Sequence, residues 1–320
     1  MKVPPRFTVN SKILSYVSQI DAFRIFFSAI DLPKLIKDKI QRVSYLKSSL
    51  FSARIEGNPV NLREIDRAED KNKREIYNIL SAINFLENFH IGKLLSVKTI
   101  LLIHEKVISE KVGFRHDMSA IYNQAGMVVY LPPPPNQVRP LIDKLISYVN
   151  RSKDLPLVTA LIAHLVFEKI HPFLDGNGRV GRLLINAVLK SKKYNFGLAI
   201  PFEEYLDKNK AEYYYFLDIG LKNTEDYLVF MLKAILTQTE NIKIQIEEEK
   251  QKKINFLLPP RQEEILQIIT DHKIVSFDFI RRRFLKVRPR TLHYDLKKLM
   301  QKKIVIKIGK TKGVYYRIRQ

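Results

Sequence analysis

His171-Pro172-Phe173-Leu174-Asp175-Gly176-Asn177-Gly178-Arg179-Val180-Gly181-Arg182 is the stretch from which the rest of the chain is read. It sets a histidine, a carboxylate, two loop glycines, an amide and two arginines side by side. Upstream, PLVTALIAHLVFEKI (156–170) is apolar nearly all round, the mark of a helix buried on every side. Helical periodicity resumes at 180–190, so the stretch joins a central core helix to a second helix. The fold class that follows is mainly α.

Moving outward, Ile40, Val43, Leu46, Leu50 and Ile55 recur on one helix, which Gly57 stops and Pro59 follows. Residues 72–90, 96–111, 203–220 and 225–252 read as further helices. MSAIYNQAGMVVYL (118–131) partly alternates around Gly126 and reads as a β-hairpin, closed by the extended run Pro132–Pro135. The charged run EEEKQKK and then Leu257-Leu258-Pro259-Pro260 mark a domain boundary.

The tail after it is a separate unit. RQEEILQIITDH is an amphipathic helix; 276–285 is a second, with Ser276 as N-cap; a third opens at Pro289 and runs through TLHYDLKKLMQKK. IVIKIGKTKGVYYRIR then alternates around a Gly309 to Gly313 turn, a two-stranded hairpin. Three helices and a basic hairpin in this order look like a winged helix-turn-helix. Its third helix would offer Arg290, Thr291, His293, Tyr294, Lys297 and Lys298 to a major groove, and Lys307, Lys310 and Lys312 would meet phosphates from the wing. Charge agrees. Residues 254–320 hold 17 Lys+Arg against 5 Asp+Glu, a net of +12 within a chain total of +22. A polyanion such as DNA is the partner this favours.

There is no Cys, so disulfides and Cys-ligated zinc are excluded. The N-terminus lacks the apolar core of a signal peptide, and no run is long and apolar enough for a membrane span. The expectation is a soluble cytoplasmic protein without a membrane partner.

The chemistry of the opening stretch is that of a phosphate site. His171, at the end of a buried helix, is placed to take a proton from a hydroxyl. Asp175 suits Mg²⁺, a hard ion that wants carboxylate and phosphate oxygens. Gly176 and Gly178 let a ligand approach backbone N–H groups, Asn177 can donate its amide, and the next helix begins with its N-terminal dipole toward the anion. Arg179 and Arg182, three apart on one face, can clamp two phosphates. What is missing is a nucleophile, which then has to be the substrate's own hydroxyl. His164, Glu168 and His171 share a spacing that could face zinc, but no HExxH pattern accompanies them.

HPFLDGNGRVGR resembles the signature of the Fic family, HPFx[D/E]GNGRxxR, at every fixed position, and the likeness extends over roughly residues 40–235. The resemblance implies a Fic-type helical core with a hairpin flap, and a protein adenylyltransferase that moves AMP from ATP, with Mg²⁺, onto a Ser, Thr or Tyr hydroxyl of a target protein, itself included. It implies that His171 is the general base, Asp175 the metal ligand, and Gly176, Asn177 and Gly178 the anion hole. Arg179 and Arg182 then reach the γ- and β-phosphates, with Gly181 between them, and Tyr213 and Tyr214 line the adenine pocket. Ser52-Ala53-Arg54-Ile55-Glu56-Gly57-Asn58 resembles the family's inhibitory motif: Ser52 and Glu56 share a helix face, and a carboxylate pairing with Arg179 would remove a phosphate ligand. In some members the same glutamate serves removal of AMP, and members often dimerise. A branch that transfers phosphate instead carries Lys near the position of Gly178. The organisation implied is an N-terminal helical region (1–90), a core (91–240), a helical linker (241–258) and a winged helix domain (259–320). The alternative is a DNA-binding transcriptional regulator whose core only senses nucleotide.

Overall fold

In the computed structural model of the chain, residues 1–62, 64–65, 68–89, 94–110, 113–122, 128–256, 258–284, 287–309 and 314–319 are described, without the side chains at 35, 122, 129 and 251–256. The chain divides into two compact units, Met1–Gln245 and Ile246–Gln320.

The first unit is helical. α1 (Ser11–Ala29) starts where the Asn10 side chain accepts from the Ile13 amide at 2.9 Å. α2 (Lys34–Ile55) ends at Gly57, whose φ of 102° only glycine adopts without strain. α3 (Asp70–Asn88) and α4 (Val97–Ile108) follow. β1 (Ile121–Tyr122) and β2 (Val128–Tyr130) pair antiparallel, as the alternation requires; the turn expected around Gly126 lies outside the described residues. α5 (Pro135–Arg151), α6 (Pro156–Ile170), α7 (Asn177–Ser191), α8 (Glu203–Lys208), α9 (Lys210–Ile219) and α10 (Thr224–Phe256) follow, α10 running past the unit's end at Gln245. Residues 203–220 are thus two helices, parted at Asn209, where φ −120° and ψ 42° leave the helical region.

Position follows from pattern. Thirteen of the fifteen residues of α6 are buried, including His164 and Lys169, so this helix is the axis of the unit. α7 packs along α6, and α3, α4 and α2 pack on α7 in turn. One continuous core runs from Ile13 through Leu50 and Leu161 to Leu236, so the stretch 1–90 shares the core of the rest. Pro156 and Pro135 sit in the first turns of their helices, where a missing N–H costs nothing.

The second unit holds α11 (Pro260–His272), β3 (Ile274–Ser276), α12 (Phe277–Arg281), α13 (Pro289–Gln301), β4 (Val305–Ile308) and β5 (Tyr315–Ile318). The sheet order is β3-β5-β4, antiparallel throughout, with Val275 opposite Tyr316 and Val305 opposite Ile318. The third strand, β3, goes beyond the expected hairpin. Ser276 caps α12 as expected, its Oγ accepting from the Phe279 amide, but the helix is five residues long. Ile265, Ile269, Ile280, Leu292, Leu296 and Leu299 fill the core. Asp295, 2% exposed, fastens α13 to α11 by accepting from Arg261 Nε and from Gln262 Nε2. Among the described residues no helix is long and apolar enough to cross a membrane.

Candidate active site

His171 ends α6 in the left-handed region (φ 49°, ψ 61°) while its own N–H still bonds to the Phe167 carbonyl at 3.0 Å. A non-glycine residue there is strained by an amount on the order of 1 kcal/mol, and the surroundings must hold it. They do so through its carbonyl, which accepts from Arg115 Nε at 2.8 Å. The ring's Nδ1 is covered and has no hydrogen-bond partner. Burial pushes the imidazole pKa below the ordinary 6.5, and the nearby Arg115 cation pushes the same way, so the neutral ring is favoured.

The loop then turns at Gly176 (φ 82°), the N-cap of α7, where a Cβ would lie 2.8 Å from Ile108 Cδ1. The Asn177 side chain is spent on the loop itself. Its Oδ1 accepts from the Phe173 amide at 2.9 Å and its Nδ2 donates to the Phe173 carbonyl at 2.8 Å, which corrects the expectation that this amide donates to a phosphate. What remains for an anion is the first turn of α7, whose amides have no intrahelical acceptor. His104 supports the loop from below: it stacks on Phe173 at 3.7 Å and its Nε2 lies 3.1 Å from the Asp175 carbonyl oxygen.

The two arginines are held differently. Arg182, 1% exposed, donates from Nε to Ser52 Oγ (2.9 Å) and from Nη2 to the Ser52 carbonyl (2.9 Å) and to Glu56 Oε1 (2.8 Å). Burial alone would lower its pKa, but Glu56, Tyr213 and Glu168 together outweigh that and hold the guanidinium charged. Ser52 and Glu56 thus act together, as their spacing implies, but on Arg182; the expected Glu56–Arg179 pair is corrected. α2 crosses the second turn of α7, and Arg179 is taken by others: Nη1 donates to Glu75 Oε1 and Nη2 to Asp175 Oδ1, each at 2.6 Å. Glu75 is gripped in turn by Asn58 Nδ2 at 2.8 Å. Glu56 lies hard against the loop, with Oε1 2.3 Å from where a Cβ on Gly178 would be. A Cβ on Gly181 would meet Glu168 Oε1 at 1.9 Å, so a larger residue there would have to displace the Glu168 carboxyl.

Asp175 is the most open of these groups, 74% exposed, and both its contacts, to Arg179 and to the Gly176 amide, use Oδ1. Among the described residues no group of three or more His, Asp or Glu is placed to hold a metal ion. In the zinc-like trio, His164 lies beside the Tyr227 hydroxyl through Nδ1 (2.6 Å) and the Tyr213 hydroxyl through Nε2 (3.1 Å), and burial lowers its pKa to about 3. Tyr213 is 1% exposed, so it is a core residue that offers no open surface to a base. Tyr214 is 44% exposed and donates to the Ile55 carbonyl at 3.0 Å, bracing the last turn of α2.

Sequence reasoning missed Glu75, Arg115 and His104. Each acts through backbone or a partner far along the chain, and local spacing carries no sign of that.

In the second unit, Arg290, Tyr294 and Lys297 are exposed on α13, and Thr291 and Lys298 are half-buried. His293 is exposed but its ring stacks on Phe277 at 3.7 Å, which ties it to α12. Lys298 Nζ lies 5.5 Å over the Tyr294 ring. Lys307 is exposed on β4; Lys310 and Lys312 lie outside the described residues.

Residues 94–189 match the Fic/DOC family model. Over 223 residues the chain is 27% identical to a protein adenylyltransferase Fic from Drosophila willistoni, covering 64% of this chain and 42% of that protein. Over 158 residues it is 32% identical to a probable protein adenylyltransferase from Aquifex aeolicus, covering 45% and 47%. The chain therefore spans less than half the length of these curated relatives. Its fold is similar to that of a Fic family protein from Desulfovibrio desulfuricans (TM-score 0.66, 19% identity, 98% of each chain). It is also similar to Fic-1 from C. elegans (TM-score 0.61, 19% identity, 75% of this chain and 73% of that one). The histidine, the glycine loop and both arginines all lie within the residues that match the Fic/DOC family model.

Proposed function

We propose that this protein transfers AMP from ATP to a hydroxyl side chain of a target protein, and that Glu56 holds the reaction in check. The observation that carries this reading is the 2.8 Å pair between Glu56 Oε1 and Arg182 Nη2, set against Gly178 at the mouth of α7. A carboxylate there occupies the ground an anionic ligand would take, and it holds a guanidinium such a ligand would need.

In the reaction, the target hydroxyl oxygen attacks the α-phosphorus of ATP. The bond from that phosphorus to the bridging oxygen of the β-phosphate breaks, pyrophosphate leaves, and the hydroxyl proton passes to the His171 imidazole. A pKa held below 6.5 suits that role at neutral pH, because the ring is then unprotonated before attack. The α7 amides and Arg182 would carry the charge that shifts onto the phosphates. Mg²⁺ fits Asp175, an exposed carboxylate at the site's edge, with its other ligands drawn from phosphates and water; bound there it would neutralise phosphate charge.

With Glu56 on Arg182, ATP loses one phosphate ligand and meets a like charge, so the α-phosphorus is badly aligned. Glu56→Gly should therefore label itself and targets strongly with labelled ATP, and His171→Ala should abolish this. The same glutamate could serve AMP removal, read as loss of label from an AMP-carrying target.

For the second unit we propose a winged helix-turn-helix that binds nucleic acid. Its support is the order helix, strand, helix, helix, strand, strand, and the exposed basic side chains Arg281, Arg282, Arg283, Arg288, Arg290 and Lys297. Electrophoretic shifts with duplex DNA, repeated in rising salt, test it.

A further inference from the structure

We propose that Arg115 is the positioning residue of this site: its guanidinium holds the His171 carbonyl and both feet of the β1–β2 hairpin as one piece. The inference rests on the AMP-transfer reading and adds to it a residue that presets the base.

Arg115 is 3% exposed, and every acceptor found for it is a backbone carbonyl. Nε donates to His171 O at 2.8 Å and Nη1 to Asp117 O at 2.9 Å. Nη2 donates to Pro133 O and reaches Ile170 O at 3.5 Å, and the Arg115 amide donates to Pro172 O at 2.9 Å. Asp117 precedes β1 and Pro133 follows β2, so one side chain gathers the two ends of the hairpin. Ile170 and His171 end α6, where carbonyls lack helical partners and a cation is favoured by the dipole. Tyr130, on β2, completes the joint by donating its hydroxyl to the Lys169 carbonyl at 3.0 Å. The hairpin is thus bonded to three successive carbonyls at the end of α6, the last belonging to the base in its strained conformation. A planar fork reaches carbonyls in several directions at once, and a lysine ammonium does not.

Arg115 also bears on the charge of the base. The charged groups acting on the His171 ring are Arg115, Glu56 of α2 and Asp175 of the loop. Of these, Arg115 is the cation that favours the neutral ring.

The test uses the full chain carrying Glu56→Gly, with labelled ATP and Mg²⁺. Arg115→Met should lower kcat by about 10- to 100-fold, leave the KM for ATP within about threefold, and move the acid limb of the pH–rate profile to higher pH. Arg115→Lys should keep the acid limb in place and still lower kcat about tenfold. A residue that serves folding alone would cut the active fraction equally at all pH values, so an unmoved limb in Arg115→Met overturns the proposal. Where Arg115→Met does not fold, Arg115→Lys decides: a kcat equal to that of the Glu56→Gly parent overturns it. If the parent itself transfers no label, the AMP-transfer reading fails, and this inference with it.

Discussion

At the scale of the residue, two positions show how tightly the site is specified. Gly176 combines φ 82° with a Cβ position 2.8 Å from Ile108 Cδ1. Gly176→Ala should cost about 1–3 kcal/mol in urea unfolding and abolish labelling in the Glu56→Gly background; an alanine variant of full stability would contradict the geometry. Glu168 is the second. Burial, aided by the charge of Glu56, raises its pKa to about 8 against the opposing pull of Arg182 and Lys169, and its Oε1 has no hydrogen-bond partner. Between pH 4.5 and about 8 the folded protein keeps a proton that the unfolded chain has released, so this group lowers stability as pH rises through that window. Glu168→Gln cannot ionise, and its Tm should gain on the native protein from pH 5 to pH 8. A constant difference would show that Glu168 titrates normally. Much at this scale was legible, because the motif gathers its chemistry in one contiguous stretch. The partner of Glu56 was not: the spacing of Arg179 and Arg182 puts both on one face but does not say which turn α2 crosses. Nor was Arg115, whose partners are carbonyls and carry no side-chain signature.

At the scale of the element, the behaviour of α2 decides whether the site is open. It is fastened along its length to α8 and α9. Ser48 Oγ donates to Glu203 Oε2 (2.5 Å), Lys47 pairs with Glu204 (3.0 Å), Arg54 pairs with Asp207 (3.0 Å), and Tyr214 holds the Ile55 carbonyl (3.0 Å). Loosening this clamp should free Glu56 part of the time. Asp207→Ala, with Glu56 intact, should raise self-labelling by a factor of about 2–5, the equivalent of a partly exposed pair worth up to about 1 kcal/mol; labelling at or below the native level would mean that α2 is not held there. The central helices were legible because α6 is apolar all round and α4 is amphipathic. α1 was missed because its apolar residues are spread about the helix, with Leu14 and Ile25 exposed and Ile13 and Ile20 buried. α5 was missed because prolines bracket its start and Pro140 lies inside it, although Val138, Leu141, Ile142, Leu145 and Val149 keep the helical period.

At the scale of the whole molecule, the chain joins the unit that carries the His171–Arg182 stretch to a basic one, and each makes its own demand. DNA binding by the full chain should weaken steeply between 50 and 200 mM salt, by about 10³-fold or more if six phosphates are neutralised. Arg290→Ala should then weaken it by about tenfold or more; affinity that ignores salt would contradict a phosphate-tracking face. The uneven charge and Leu258-Pro259-Pro260 point to a boundary near 258, whereas the two compact units part between Gln245 and Ile246, inside α10, where the helical pattern leaves no mark. The third strand of the sheet was not legible, since Ile274-Val275-Ser276 is too short to show an alternation. The most direct test of the whole account compares native protein with Glu56→Gly, using ATP labelled at the α- or the γ-phosphate in the presence of Mg²⁺. The account predicts that Glu56→Gly gains at least about tenfold in α-label, the scale of one lost electrostatic restraint, takes up no γ-label, and loses its signal with His171→Ala. Equal α-labelling of native and variant protein, or transfer of the γ-label, would contradict it.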